Sequence, residues 1–157
     1  MGFTHVDENN KPTMVDVSHK LETAREAHAR GQVWLPQIVR DQFVDGDLST
    51  KKGPVFSCAI IAGTMAVKKT SELIPFCHQI NIESTKINIQ LVGENAVIDC
   101  KVKTFGKTGV EMEAIVGVNI AAATIYDMCK AFGHEMIIND IQLISKTGGK
   151  SDFSKGE

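Results

Sequence analysis

Residues Ile80–Phe105 read INIESTKINIQLVGENAVIDCKVKTF. Ile80, Ile82, Ile87, Ile89 and Leu91 alternate with polar residues, with one slip of phase near Ser84, and Gly93-Glu94-Asn95 supplies a turn before AVIDCKVKTF alternates again. Successive side chains of a strand point to opposite faces, so each run is a strand with one apolar face, and the short turn joins them as an antiparallel hairpin. An apolar sheet face has to be covered, and helices are the usual cover.

The segments on either side supply those helices and two more strands. Upstream, Ala27, Ala29, Gly31, Val33 and Leu35 alternate through Thr23–Leu35 as a first strand. Pro36 opens a short helix through Phe43, broken by Asp45-Gly46-Asp47, because proline suits the first helical position. Gly53-Pro54 opens a second, long helix containing Phe56, Ile60, Met65, Val67 and Leu73, which Pro75 stops. Downstream, a third helix is predicted over Val110–Phe132 and a last strand over Met136–Ser145. The order β-α-β-β-α-β predicts an α+β, ferredoxin-like fold: an antiparallel sheet with helices packed on one face.

A length of 157 residues suits one domain, predicted to run over residues 14–153. Residues 1–13 are polar and read as a mobile N-terminal tail, and residues 154–157 as a flexible C-terminal end. Seventeen Lys+Arg against nineteen Asp+Glu give a net charge of −2, so nothing drives bulk association with nucleic acid or an anionic membrane. Any anion site must therefore be a local cluster. The mainly apolar stretch Val55–Val67 falls short of the ~20 residues that span a bilayer, and the polar N-terminus does not read as a secretory signal. A cytoplasmic address is expected. Cys58, Cys77, Cys100 and Cys129 lie far apart with no C-x-x-C pair, which predicts free thiols rather than disulfides or a metal centre.

The third helix carries most of the functional information. Ile115, Val118, Ala122, Ile125 and Cys129 form a stripe that predicts packing on the sheet. Glu113, Gly117, Ile120, Thr124, Asp127 and Ala131 fall on the opposite side, which is also largely apolar; a second subunit is expected to cover it. Asp127 and Lys130 are surface neighbours three residues apart. Gly106-Lys107-Thr108-Gly109 and Gly148-Gly149-Lys150-Ser151 both lack the earlier glycine of a P-loop, since Lys101 and Ile144 occupy those positions. Neither is a Walker motif, but backbone amides at a helix start beside a lysine still suit an anion. Lys51, Lys52, Lys68, Lys69, Lys107, Lys130, Lys146 and Lys150 provide enough positive charge for a polyphosphate.

Five segments coincide in order: Met14-Val15-Asp16-Val17, Leu73–His78 (LIPFCH), Gly106–Ala114 (GKTGVEMEA), Ile125–Ala131 (IYDMCKA) and Lys146–Ser151 (KTGGKS). Over roughly Met14–Phe153 the chain thereby resembles the molybdenum cofactor biosynthesis protein C family, the cyclic pyranopterin monophosphate synthases. The resemblance implies a cytoplasmic lyase assembled as a homohexamer of three dimers, with sites at the dimer interface. The implied reaction converts (8S)-3′,8-cyclo-7,8-dihydroguanosine 5′-triphosphate to cyclic pyranopterin monophosphate and releases diphosphate. It carries over Asp127, Lys52 and Lys130 as catalytic residues. Phe76, Cys77, His78, Met112 and Glu113 carry over as substrate contacts, with Arg25, Lys69 and Lys146 as further binding residues. No resident cofactor or protein-bound metal is implied; magnesium would arrive only with the triphosphate. The competing reading is a non-catalytic ferredoxin-like nucleotide-binding or oligomerisation module, which leaves the lysines beside Asp127 without a purpose.

Overall fold

The computed structural model describes residues 6–156. β1 (Thr23–Trp34) follows the predicted alternation and buries Ala27, Ala29 and Val33. Pro36 precedes α1, which is confined to Gln37–Arg40. Where a plain turn is predicted, β2 (Phe43–Val44), β3 (Asp47–Thr50) and β4 (Gly53–Pro54) form a small second sheet. Its tight turn is Asp45-Gly46, both at positive φ (51° and 87°), a backbone twist that matches the twist of a hairpin.

The predicted second helix divides into α2 (Val55–Val67) and α3 (Thr70–Leu73). Lys69 leaves the helical region at φ −111° and ψ 9°, and the Thr70 hydroxyl donates to the Val67 carbonyl at 3.1 Å. The hairpin follows as β5 (Ser84–Val92) and β6 (Asn95–Gly106). β5 starts where the alternation slips, while Ile80 and Ile82 pack against the core from outside the sheet. α4 (Glu111–Cys129) ends in a 3-10 turn at Lys130–Phe132, and β7 (Ile137–Thr147) and β8 (Phe153–Ser154) complete the chain.

The main sheet is antiparallel in the order β5-β6-β1-β7-β8, so β6 lies between β5 and β1 as the ferredoxin-like arrangement requires. α2 and α4 cover one face, over Ile87, Ile89, Ile98, Cys100 and Val102. Val118, Ala122, Ile125 and Cys129 of the predicted stripe are buried, and Ile115 is half-buried against them. Glu111–Phe132 is long and apolar enough by composition to cross a membrane, and these core contacts account for its apolarity.

One expectation needs correction. Gly117, on the side of α4 assigned to a second subunit, is covered by α2 of the same chain, as is the neighbouring Ala121. A Cβ on Gly63 of α2 would stand 2.8 Å from the Gly117 carbonyl oxygen, so only glycine permits this close crossing. Met112 and Ile120 remain exposed.

Of the predicted N-terminal tail, residues 1–5 lie outside the described residues. Farther along it, Asp7 accepts backbone N–H bonds from Asn9 and Lys11, both at 2.9 Å. Of the predicted C-terminal end, Ser154 pairs with Ser145 and the Lys155 amide donates to the Ile144 carbonyl, while residue 157 lies outside the described residues.

Candidate functional site

A cleft of about 530 Å³ opens where the start of α4, the Phe76–Ile80 segment and the chain around Val15–Lys20 meet. Phe76, Cys77, His78, Met112, Glu113 and Lys146 all line it, so six of the predicted binding residues converge on one place. The extended segment is fastened over the cleft by hydrogen bonds. His78 Nε2 lies 2.7 Å from the Val15 carbonyl, which only accepts, so Nε2 carries the proton. Lys107 Nζ donates to the Ser18 carbonyl at 3.0 Å.

Glu113 is the distinctive group in this cleft. It is only 4% exposed, and burial pushes its carboxyl up to about 7, with Glu111 adding repulsion in the same direction. A carboxyl that gains and loses its proton near neutral pH is suited to general acid–base work. Burial, and then the nearby Glu113 charge, raises the Cys77 thiol, which disfavours a thiolate nucleophile there. Glu111 pairs with Lys146 at 3.0 Å.

A smaller lobe continues past Gly109, Glu111 and Lys146 toward Arg25 and Lys150. Arg25 Nε donates to the Gly106 carbonyl at 2.9 Å and its Nη2 to the Lys107 carbonyl at 3.1 Å, which fixes the guanidinium at the lobe. Arg25, Lys146 and Lys150 meet there beside Glu26 and Glu111, the second of which is the ion-pair partner of Lys146.

The other predicted residues stand at the far end of α4. Asp127 receives Lys130 Nζ at 2.8 Å on one carboxylate oxygen and Lys52 Nζ at 2.9 Å on the other; Lys52 also donates to the Asp127 carbonyl at 3.1 Å. Lys52 is delivered by the turn between β3 and β4, part of the small sheet that the sequence reading passes over. The hydrogen bonds from Lys130 and then Lys52 hold the Asp127 carboxyl down at about 2, and Asp127 in turn raises Lys130. Asp127 and Lys130 therefore stay charged at neutral pH, and with Lys52 they stand half-exposed beside a cavity of about 260 Å³ lined by Lys51, Lys52 and Phe132.

Helical rise places Asp127 ~21 Å from Glu113 along the axis, so one chain does not bring the two groups together. Lys69 lines neither cavity; it lies exposed at the break after α2. Lys20, Thr108 and Glu111 line the main cleft without having been singled out. Glu111 was legible as an acidic residue two positions before Glu113 in the first helical turn. Lys20 lies in an irregular segment with no periodic signal. Among the described residues no three His, Cys, Asp or Glu side chains gather as a metal site.

Comparison with known proteins gives these groups a context. Residues 14–149 match the model of the MoaC family. The chain is 51% identical over 158 residues to the molybdenum cofactor biosynthesis bifunctional protein of Synechocystis sp., covering 98% of this chain and 46% of that protein. It is 48% identical over 156 residues to the cyclic pyranopterin monophosphate synthase of Xanthomonas axonopodis pv. citri, covering 99% and 94%. The protein of the same name from Thermoanaerobacter pseudethanolicus is 47% identical over 159 residues, covering 100% and 99%. The chain thus spans about half of the first relative and nearly all of the other two. With the family model covering most of its length and relatives this similar, the chain belongs to the MoaC family.

Proposed function

We propose that the chain acts in molybdenum cofactor biosynthesis as a cyclic pyranopterin monophosphate synthase. Its substrate would be the small-molecule nucleotide (8S)-3′,8-cyclo-7,8-dihydroguanosine 5′-triphosphate, and its products cyclic pyranopterin monophosphate and diphosphate. Relatives carrying that name match over nearly their whole length. The observation that carries the reading is the division of labour between the two groups of residues. Opening and reclosing a dihydroguanine ring needs a group that exchanges protons near neutral pH, and Glu113 is held there by burial. Closing a cyclic phosphate expels diphosphate and needs fixed positive charge, which Lys52 and Lys130 supply while Asp127 positions both. Arg25, Lys146 and Lys150 make the lobe beside the cleft the second phosphate-contacting region. Any magnesium would enter with the triphosphate substrate.

On this reading each site is composite, with the Glu113 cleft of one chain facing the Asp127 end of another. The exposed apolar side chains Ile61 and Met65 on α2 and Met112 and Ile120 on α4 support burial against a second copy. A homohexamer built as a trimer of dimers, working in the cytoplasm, follows from the same reading. Incubation with the cyclised dihydro-GTP substrate tests it. Stoichiometric diphosphate and the cyclic product are expected; substrate bound without turnover would return the chain to a non-catalytic binding module.

A further inference from the structure

The open face of the main sheet, on the side away from α2 and α4, carries a second polar cleft. It has a volume of about 380 Å³, is lined by His28, Arg30, Lys86, Asn88, Asp99 and Lys101, and shares no lining residue with the candidate active site. Strand register explains its composition. Lys86 of β5 stands opposite Lys101 of β6, which stands opposite His28 of β1, while the next row on the same face is Asn88, Asp99 and Arg30.

Elsewhere on this face opposite charges meet. Glu26 is opposite Lys103 and pairs with it at 3.0 Å; Asp99 is opposite Arg30, which donates to it at 2.9 and 3.2 Å. Asp99 also lies 2.6 Å from His28 Nε2, so both of its oxygens are engaged. The Lys86–Lys101 row departs from this pattern. Like charges directly opposite each other destabilise a strand pair, and neither lysine has an ion-pair partner among the described residues. Three adjacent strands spread this row over about 10 Å, with Arg30 and the Asn88 amide one row away as further donors. Asp99 ties down His28 and Arg30 without neutralising the two lysines.

The geometry points to a binding site for a small phosphate-bearing anion at this cleft, held by Lys86 and Lys101 with donors from Arg30 and Asn88. The protein's net negative charge and the small extent of the cluster, two lysines on neighbouring strands, favour a small anion over an extended nucleic acid. The test is calorimetric titration with inorganic phosphate of a chain carrying Lys52→Gln and Lys146→Gln, which weakens phosphate uptake at the candidate active site. A saturable, single-site isotherm is expected, and adding Lys86→Gln and Lys101→Gln should weaken it by about tenfold or more with the assembly mass unchanged in sedimentation. Equal affinity with and without the two lysines, no saturable uptake, or an equal response to chloride at the same ionic strength would overturn the assignment. So would loss of assembly mass in the Lys86→Gln/Lys101→Gln chain, which would give these charges to a contact between copies.

Discussion

Glu113 and Asp127 are both carboxylates on α4, yet their surroundings push them in opposite directions: burial raises the first to about 7, and two ammonium groups lower the second to about 2. Because Glu113 holds its proton more tightly folded than unfolded, its stabilisation is complete below its ordinary value of 4.5. It is lost as pH climbs through about 7, with a total of about 3 kcal/mol. Glu113→Gln keeps the shape and removes the charge. Thermal unfolding should therefore show variant and wild type alike near pH 5, and the variant more stable above pH 8. Parallel pH profiles would refute the buried-acid assignment. Turnover by this variant should fall by about 10²-fold or more, with loss of the apparent pKa near neutrality from the kcat profile. Asp127→Ala removes an exposed group, so its melting temperature should stay within about 2 °C of wild type while diphosphate release collapses. Near-normal release would reduce the Asp127 cluster to a surface ion network. The sequence made the residue types legible here, but not their burial: Glu113 lies in a cleft that it shares with Phe76–His78 and Val15–Lys20, groups distant from it along the chain.

At the scale of elements, α2 and α4 meet through Gly63 and Gly117. A Cβ at Gly63 would stand 2.7 Å from Ile87 Cδ1 as well as 2.8 Å from the Gly117 carbonyl. Gly63→Ala should destabilise the protein by about 1–3 kcal/mol through overpacking, read as a lower denaturant midpoint; an unchanged midpoint would mean that the helices slide apart freely. Asp47 anchors the other end of α2, accepting from the Phe56 amide at 2.6 Å and the Ser57 amide at 3.0 Å. Asp47→Ala should cost about 1 kcal/mol, as loss of a helix cap does. Periodicity made β1, β5, β6 and α4 legible because each buries one regular face; β7, read from its apolar run, has no fully buried residue. Periodicity did not show the small sheet, whose strands are two to four residues long. Nor did it show the break after α2 at Lys68-Lys69, where the composition is compatible with a continuing helix. That omission matters, because the small sheet is what carries Lys52 to Asp127.

At the scale of the whole molecule, the two groups of functional residues are intact but apart. The sequence pattern separated them by a helix length, and the fold keeps that separation while covering part of α4 with the chain's own α2. What covers the exposed Ile61, Met65, Met112 and Ile120 is a question that a single chain's periodicity leaves open. If a second copy covers them, sedimentation should find no folded monomer at 17.1 kDa at micromolar concentration; a stable, active monomer would end the composite-site account. Subunit complementation asks the same question through function. Inactive Glu113→Ala and Asp127→Ala chains are mixed at equal concentration under conditions that exchange subunits. In a twofold pair, one site then collects both defects and the other has neither, so activity should recover to about a quarter of wild type. Activity that remains at the level of the separate variants, with exchange demonstrated by mass-labelled subunits, would contradict the account and place both groups in one chain's site.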